Sequence, residues 1–345
     1  MKRLRILTLC TIAVSALIFF FKKREATTIA AGKGLVIKKE WLATNKNPLT
    51  PKADSRPADQ TFLTFPEWYL VFSPEEQANY FKHTTATSFP YMKHTRQIWE
   101  SYRIVNNQIK GNFPENPGYH FMIWVIGSSA SIEYSIKSWY EVLIGRITDT
   151  QQVVTAEDSF NARYTQDYVN FIKDRPWYAF DFKKQLFELW SGDVPYFGEH
   201  FPRKIERRYI LTSELIVKWG YGKLIGLGTG QVYEEALPVT TVITTDGKAQ
   251  NVPRYDKFAE AAIQLAKEGK AFKEIAGNDS AILLSILVPQ SYENKFENTQ
   301  IVFIQPITSN PTMKRIALAI PVTRLNTLLL ELNSKKIQIE HIFDF

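Results

Sequence analysis

The apolar and polar positions along the chain predict four successive segments. Residues 6–21 are an uncharged, mostly apolar run between basic clusters, and residues 25–61 are largely polar and contain three prolines. In residues 62–233 apolar side chains recur at spacings of three and four, the period of one helix face, whereas residues 234–345 alternate short apolar runs with turn signals. This order predicts an α+β protein with a single N-terminal transmembrane helix, an aromatic-rich helical middle domain and a C-terminal α/β domain.

Capping residues mark the ends of several helices in the middle domain. Residues 73–76 (Ser-Pro-Glu-Glu) combine an N-cap, a first-turn proline and a capping-box acid, so they predict a helix over 74–85. Thr155 and Asp158 predict the start of another helix by the same capping logic. Apolar periodicity predicts the remaining helices at 91–110, 119–147, 182–190 and 210–230.

The sequence pattern allows the helices predicted at 119–147 and 210–230 to lie either in a water-soluble bundle or in a membrane. Each is largely apolar but carries charged residues, including Glu133 in the first and Glu214 in the second. A charged residue at the centre of an isolated spanning helix costs about 2.5–3.5 kcal/mol, more than a few apolar neighbours recover. We therefore expect central helices of a water-soluble bundle with four-residue Glu–Lys pairs along one stripe. The alternatives are a membrane-embedded bundle with inward charges, or helices lying at the lipid interface.

The C-terminal segment has a different period from the middle domain. Its β-branched and apolar runs predict the element order β-α-β-β-(β)-α-β between residues 237 and 343. This order is close to the split βαβ, or ferredoxin-like, plan with one additional strand. Many unrelated activities occur on that plan, so the predicted fold implies no function.

The net charge of +7 comes almost entirely from the N-terminus. Residues 1–24 contain six Lys or Arg and no acid, whereas the rest of the chain carries 36 basic and 35 acidic residues. A nucleic-acid-binding protein needs its positive charge on the folded body. The sequence therefore predicts no nucleic-acid partner.

Residues 1–24 are predicted to be a membrane anchor. The sixteen uncharged residues 6–21 span about 24 Å as a helix, and the flanking basic side chains reach the interface. Phenylalanines and lysines occupy the place where signal-peptide cleavage needs small residues, so we expect an uncleaved single-pass signal-anchor. Residues 25–61 then form a linker. In a bacterium this predicts an inner-membrane protein with its body in the periplasm.

Few residues suggest specific chemistry. The five histidines show no ligand-pair spacing, and the single cysteine lies in the anchor, so we predict no metal and no cofactor. Glu133 and Glu214 are the candidate catalytic residues, because burial among apolar neighbours raises a carboxyl pKa and suits it to acid–base work. Arg203, Arg207 and Arg208 are the candidate binding residues, either contacting anionic lipid head groups at a membrane surface or forming a solvated helix face.

These features predict a membrane-anchored cell-envelope protein with a binding or scaffolding role. Its expected partners are the lipid bilayer, through residues 6–21, and an unidentified protein or small-molecule ligand. Two alternatives stay open. One is an anchored hydrolase or lipid-modifying enzyme whose carboxylates come from separate helices, so enzymatic activity is undecided. The other is a multi-span protein with the helices at 119–147 and 210–230 in the bilayer.

Overall fold

The computed structural model describes residues 29–30, 37–42, 47–191, 197–229, 239–293 and 296–345. The predicted anchor, residues 1–24, lies outside these described residues. The helices longer than one turn are α1 (Gln60–Phe81), α2 (Tyr91–Ile109), α3 (Pro117–Tyr140), α4 (Ala156–Ile172), α5 (Phe182–Ser191), α6 (Phe201–Thr229), α7 (Phe258–Lys267) and α8 (Leu325–Ser334). A π-helical turn, Glu141–Gly145, and a short turn, Arg146–Thr148, extend α3.

The strands form two antiparallel sheets, which confirms the α+β class. They are β1 (Ile29–Ala30), β2 (Val239–Thr244), β3 (Ala249–Pro253), β4 (Phe272–Ile275), β5 (Ala281–Pro289), β6 (Gln300–Pro306), β7 (Met313–Pro321) and β8 (Gln338–Ile342). The larger sheet has the order β1-β6-β7-β5-β8 and the smaller has the order β3-β2-β4.

The ferredoxin-like plan predicted for this segment does not form as one sheet, because its two split βαβ units lie in different sheets. Helix α7 joins β3 to β4 on either side of β2 in the smaller sheet, and helix α8 joins β7 to β8 on either side of β5 in the larger sheet. The first predicted strand, β2, also lies in the smaller sheet rather than beside β5. Strands β3 and β4 were not predicted, because both are short and neither shows alternating apolar residues.

Helix α1 lies at the centre of the molecule, between the other helices and the larger sheet. The ring of Phe65 packs against Phe303 of β6 at 4.6 Å and against Phe343 at 5.7 Å. The hydroxyl of Thr61 donates to the carbonyl of Phe343 and accepts from the amide of Leu283. One hydrophobic core therefore crosses the domain boundary predicted at residue 233.

The larger sheet is buried on both faces, because alternate residues of its strands point to opposite sides. Ala281 and Leu283 of β5 face α1, whereas Ile282 and Leu284 face the second core under α7 and α8. The molecule is thus a helical layer, a sheet and a second pair of helices. This stacking places the charged faces of α3 and α6 on the side of α1 away from the sheet.

Most predicted helices are confirmed, but the start of the first is wrong. The capping box of α4 forms, since the side chains of Thr155 and Asp158 each accept from the other's backbone amide. In contrast, α1 runs without interruption through Pro66 and Pro74, and Ser73 is not its N-cap. Burial of α1 on several sides compensates for the backbone hydrogen bonds that the prolines remove.

Candidate functional site

Helices α1, α3, α4 and α6 surround a cleft with a volume of about 410 Å³. This volume lies in the range of roughly 300–1,000 Å³ that is usual for small-molecule sites. Residues from Met122 to Lys137 of α3 line one wall, and at 1.5 Å per residue they make the cleft about 22 Å long. Its shape therefore suits an elongated ligand.

Apolar and aromatic side chains cover most of the cleft wall. They come from every surrounding helix and from the turn Trp177–Ala179, and they include Trp68, Leu70, Val71, Val125, Ile126, Trp177, Tyr178, Ile225 and Tyr255. Such a lining binds the apolar part of a ligand by removing it from water, at about 25 cal/mol per Å².

Four charged side chains of α3 and α6 come together in the cleft wall. Glu133 and Lys137 on α3 face Glu214 and Lys218 on α6, and we call these four residues the charge quartet. The Lys137 ammonium lies 3.0 Å from Glu133 and 2.9 Å from Glu214. The Lys218 ammonium lies 3.1 Å and 2.8 Å from the same two carboxylates. Each ammonium therefore sits between both carboxylates, and the group has no net charge.

The members of the charge quartet differ in their exposure. The side chain of Glu214 is 11% exposed, whereas that of Glu133 is 37% exposed and is the most accessible of the four. Glu133 is therefore the group that an incoming ligand meets first. Removal of any one member leaves an unmatched charge in a largely buried place, which is strongly unfavourable.

The acid–base role predicted for Glu133 and Glu214 needs a raised carboxyl pKa, but the pKa of both side chains is lowered. Burial alone would raise the pKa of Glu214, but Lys137 and Lys218 lower it to about 2. Burial likewise acts to raise the pKa of Glu133, and the same two lysines bring it below the usual value. Both carboxylates are ionised at neutral pH, so neither is matched to general acid catalysis.

Tyrosines surround the charge quartet. The Lys218 ammonium lies 5.3 Å from the ring centroid of Tyr168, within cation–π distance. Burial raises the pKa of Tyr134 to about 12, so its hydroxyl stays protonated. The buried hydroxyl of Tyr164, which lines the cleft, has no hydrogen-bond partner among the described residues. Because buried polar groups are nearly always paired, this hydroxyl is available to a ligand.

A buried polar network extends from the cleft wall to the larger sheet. The Tyr134 hydroxyl and Nδ1 of His94 each lie 2.7 Å from the Ser73 hydroxyl. Glu76 next to His94 then pairs with Arg315 of β7. Ser73 and His94 are fully buried and do not line the cleft, so this network connects layers rather than meeting a ligand. No periodic or spacing signal in the sequence indicated this network, since its members lie on four different elements.

Arg203, Arg207 and Arg208 do not form the exposed basic surface predicted from the sequence. Each guanidinium is buried and paired with a carboxylate from another element: Arg203 with Asp158 at 3.0 Å, Arg207 with Glu141 at 2.8 Å and Arg208 with Glu157 at 2.7 Å. The reason is the orientation of α6, which turns this stretch into the bundle. The three arginines lie beyond the charge quartet and do not line the cleft.

Within the described ranges, no group of three or more His, Cys, Asp or Glu side chains has the geometry of a metal site. Comparison with known proteins gave no match: no family model, no curated protein and no solved structure is significantly similar to this chain.

Proposed function

We propose that this chain is a membrane-anchored binding protein of the cell envelope whose cleft holds one elongated amphipathic molecule. The apolar part of the ligand lies along α1 and α3, and its polar head meets the charge quartet. Residues 6–21 hold the body at the membrane. The observation that carries the proposal is one cleft whose wall is mainly apolar and which contains four mutually paired charges from α3 and α6.

The balance of charge in the quartet favours a zwitterionic head group. A head with one positive and one negative group exchanges ion pairs with the quartet and leaves no charge unmatched. A head with a single net charge leaves one buried charge without compensation, and this costs several kcal/mol in a poorly hydrated site. The unpaired Tyr164 hydroxyl adds one hydrogen bond to such a head.

A second candidate function is a hydrolase or lipid-modifying enzyme. It is favoured by one observation, which is that Glu133 and Glu214 come from separate helices and meet in one cleft. The lowered pKa of both carboxylates favours ion pairing over proton transfer, so we place binding first.

Three single-chain amphiphiles with the same acyl tail and different heads test the proposal. The heads are zwitterionic phosphocholine, anionic phosphoglycerol and cationic trimethylammonium. The full-length chain is kept in an amphipathic polymer, because detergent monomers would compete for the cleft. Native mass spectrometry then measures the bound fraction. We expect one molecule per chain and about tenfold tighter binding of the zwitterion, since about 1.4 kcal/mol corresponds to tenfold.

Two variants make the test specific. Lys218→Met leaves a net negative quartet and should shift preference toward the cationic probe, whereas Glu214→Gln leaves a net positive quartet and should shift it toward the anionic probe. Lys335→Met, which removes an exposed ion pair on α8, is the control and should change nothing. Non-saturable binding, or the same change in both quartet variants, would refute the proposal.

A further inference from the structure

The two longest helices carry their charges on the inside and their apolar residues on the outside. In residues 121–147, all of which the structure describes, every exposed side chain is apolar except Ser129 and Arg146. In residues 201–227 the only exposed charged side chain is Lys223. This is the reverse of a helix pair in water, whose polar residues face the solvent. The exposed faces therefore lack the composition expected for the water-soluble bundle predicted from the sequence.

These exposed faces join into one surface, which we call the apolar face. Its members are Phe121, Trp124, Ile132, Ile136, Trp139, Val142, Leu143, Ile144 and Ile147 from α3 and its extension, and Phe201, Ile205, Tyr209, Ile216, Val217, Trp219, Leu224 and Leu227 from α6. The two helices meet where Tyr140 stacks on Tyr209, next to a shallow groove between Ile144 and Ile205.

The apolar face is too large to be an ordinary monomer surface. From residue 121 to residue 147 it is about 39 Å long, and two helices of about 10 Å each give it an area of several hundred Å². Exposed apolar patches on soluble monomers rarely exceed a few hundred Å², and larger ones mark interaction sites.

Two features identify a lipid bilayer as the partner. The apolar face exposes Trp124, Trp139 and Trp219, and tryptophan side chains concentrate at membrane interfaces. The exposed charges on these stretches, Arg146 and Lys223, are both basic and complement anionic head groups.

We infer that the apolar face of α3 and α6 lies in the interfacial layer of a lipid bilayer, with both helices parallel to the membrane. None of the described helices combines the length with the apolar composition that a bilayer crossing demands. A helix with one apolar and one charged face instead buries its apolar side about 5–10 Å into the head-group and acyl boundary. The charge quartet and the buried arginines then remain on the side of the helices away from lipid.

Site-specific fluorescence tests this inference on the full-length chain. In a Cys10→Ser background, single cysteines at Ile132, Ile136 and Leu224 are labelled with an environment-sensitive dye. All three positions are exposed, so labelling leaves the core intact. The control label replaces Asp246, in the exposed turn after β2, on the same anchored protein. Each protein is reconstituted into phosphatidylethanolamine–phosphatidylglycerol liposomes, and its near-ultraviolet circular dichroism confirms the fold.

Two quenchers then distinguish the surroundings of each label. At the three face positions we expect blue-shifted emission and at least twofold stronger quenching by nitroxide lipids than at the control position. Iodide in the aqueous phase should quench the control label more strongly than the three face labels. Iodide quenching of the face labels equal to that of the control overturns the inference. Protection from both quenchers, with chemical cross-links between copies, also overturns it, because a second copy then covers the face. This assay needs no cleft ligand, so its failure is separate from a failure of amphiphile binding.

Discussion

Glu214 illustrates how a single carboxylate can be both buried and ionised at neutral pH. Its two ammonium neighbours lie 2.9 Å and 2.8 Å away and lower its pKa to about 2, although burial acts in the opposite direction. The side chain therefore joins α6 to α3 through an ion pair and also lines the cleft. Its loss leaves two ammonium groups facing one carboxylate.

Glu214→Gln should destabilise the protein by about 3 kcal/mol at neutral pH, because removal of one carboxylate from a buried group of ion pairs leaves an uncompensated charge. The measurement is the free energy of unfolding from denaturant titration. Glu331→Gln, which removes an exposed pair with Lys335, is the matched control and should have little effect. Equal effects of the two substitutions would contradict the buried role of Glu214.

The same variant should change the acid stability of the protein. The pKa of Glu214 is about 2 in the folded state against an ordinary value of 4.5, so its stabilising effect is complete above pH 4.5 and is lost as the pH falls towards 2. The total is about 3 kcal/mol, since one pKa unit corresponds to about 1.4 kcal/mol. The gap in unfolding free energy between wild type and Glu214→Gln should therefore close over this window. A gap that is constant with pH would show that Glu214 has no shifted pKa.

At the scale of elements, the glycines of α6 show which part of the cleft wall is tightly packed. A Cβ added at Gly220 meets nothing within 4 Å, whereas one at Gly222 lies 3.3 Å from the carbonyl oxygen of Tyr178. The element that approaches Gly222 is the turn Trp177–Ala179, which contributes Trp177 and Tyr178 to the cleft.

Gly220→Ala should stabilise the protein by about 0.5–1 kcal/mol, because alanine has a higher helix propensity and nothing opposes its methyl group. Gly222→Ala should gain less or lose stability, since its methyl group pushes against the turn. Thermal denaturation compares the two, and the cleft probes give a second readout. Only Gly222→Ala should weaken amphiphile binding. If both variants bind the probes equally well, the turn does not shape the cleft.

The elements also show what the sequence could reveal. Apolar periodicity located α2, α4 and α5, and the pair Thr155 and Asp158 marked a real helix start, because these signals are local. Ser73 carried the same local signal and yet lies inside α1, where its hydroxyl bonds His94 and Tyr134. Tertiary contacts decide such positions, and they are not encoded in the spacing of neighbours.

The candidate site was predicted in part. Glu133 and Glu214 do line one cleft, and the four-residue Glu–Lys pairs expected on each helix form. The second lysine beside each carboxylate could not be predicted, because it comes from the other helix, about eighty residues away along the chain. The three arginines were misplaced for a related reason. Only the packing of α6 shows which of its faces is buried.

On the scale of the whole molecule, the shared core predicts a single unfolding unit, although the sequence predicted a domain boundary at residue 233. All eight tryptophans precede residue 220, so tryptophan fluorescence reports mainly on the helical layer, with Trp68 also stacked on His341 of β8. Phe258 of α7 is fully buried on the far face of the larger sheet and does not contact that layer's core. A substitution there affects the tryptophans only if the layers unfold together.

Phe258→Ala should cost about 3–5 kcal/mol through loss of buried area and the cavity it leaves. Because α1 packs directly on β5 and β6, we expect the denaturation midpoint from tryptophan fluorescence to fall as far as the midpoint from far-ultraviolet circular dichroism. Phe65→Ala, in α1 itself, is the companion variant and should shift both signals together. Two independent domains would give a different result: Phe258→Ala would lower the circular dichroism midpoint of the sheet and leave the tryptophan transition in place. The coincidence of the two transitions therefore decides whether the cleft is supported by the sheet beneath it or only by its own helices.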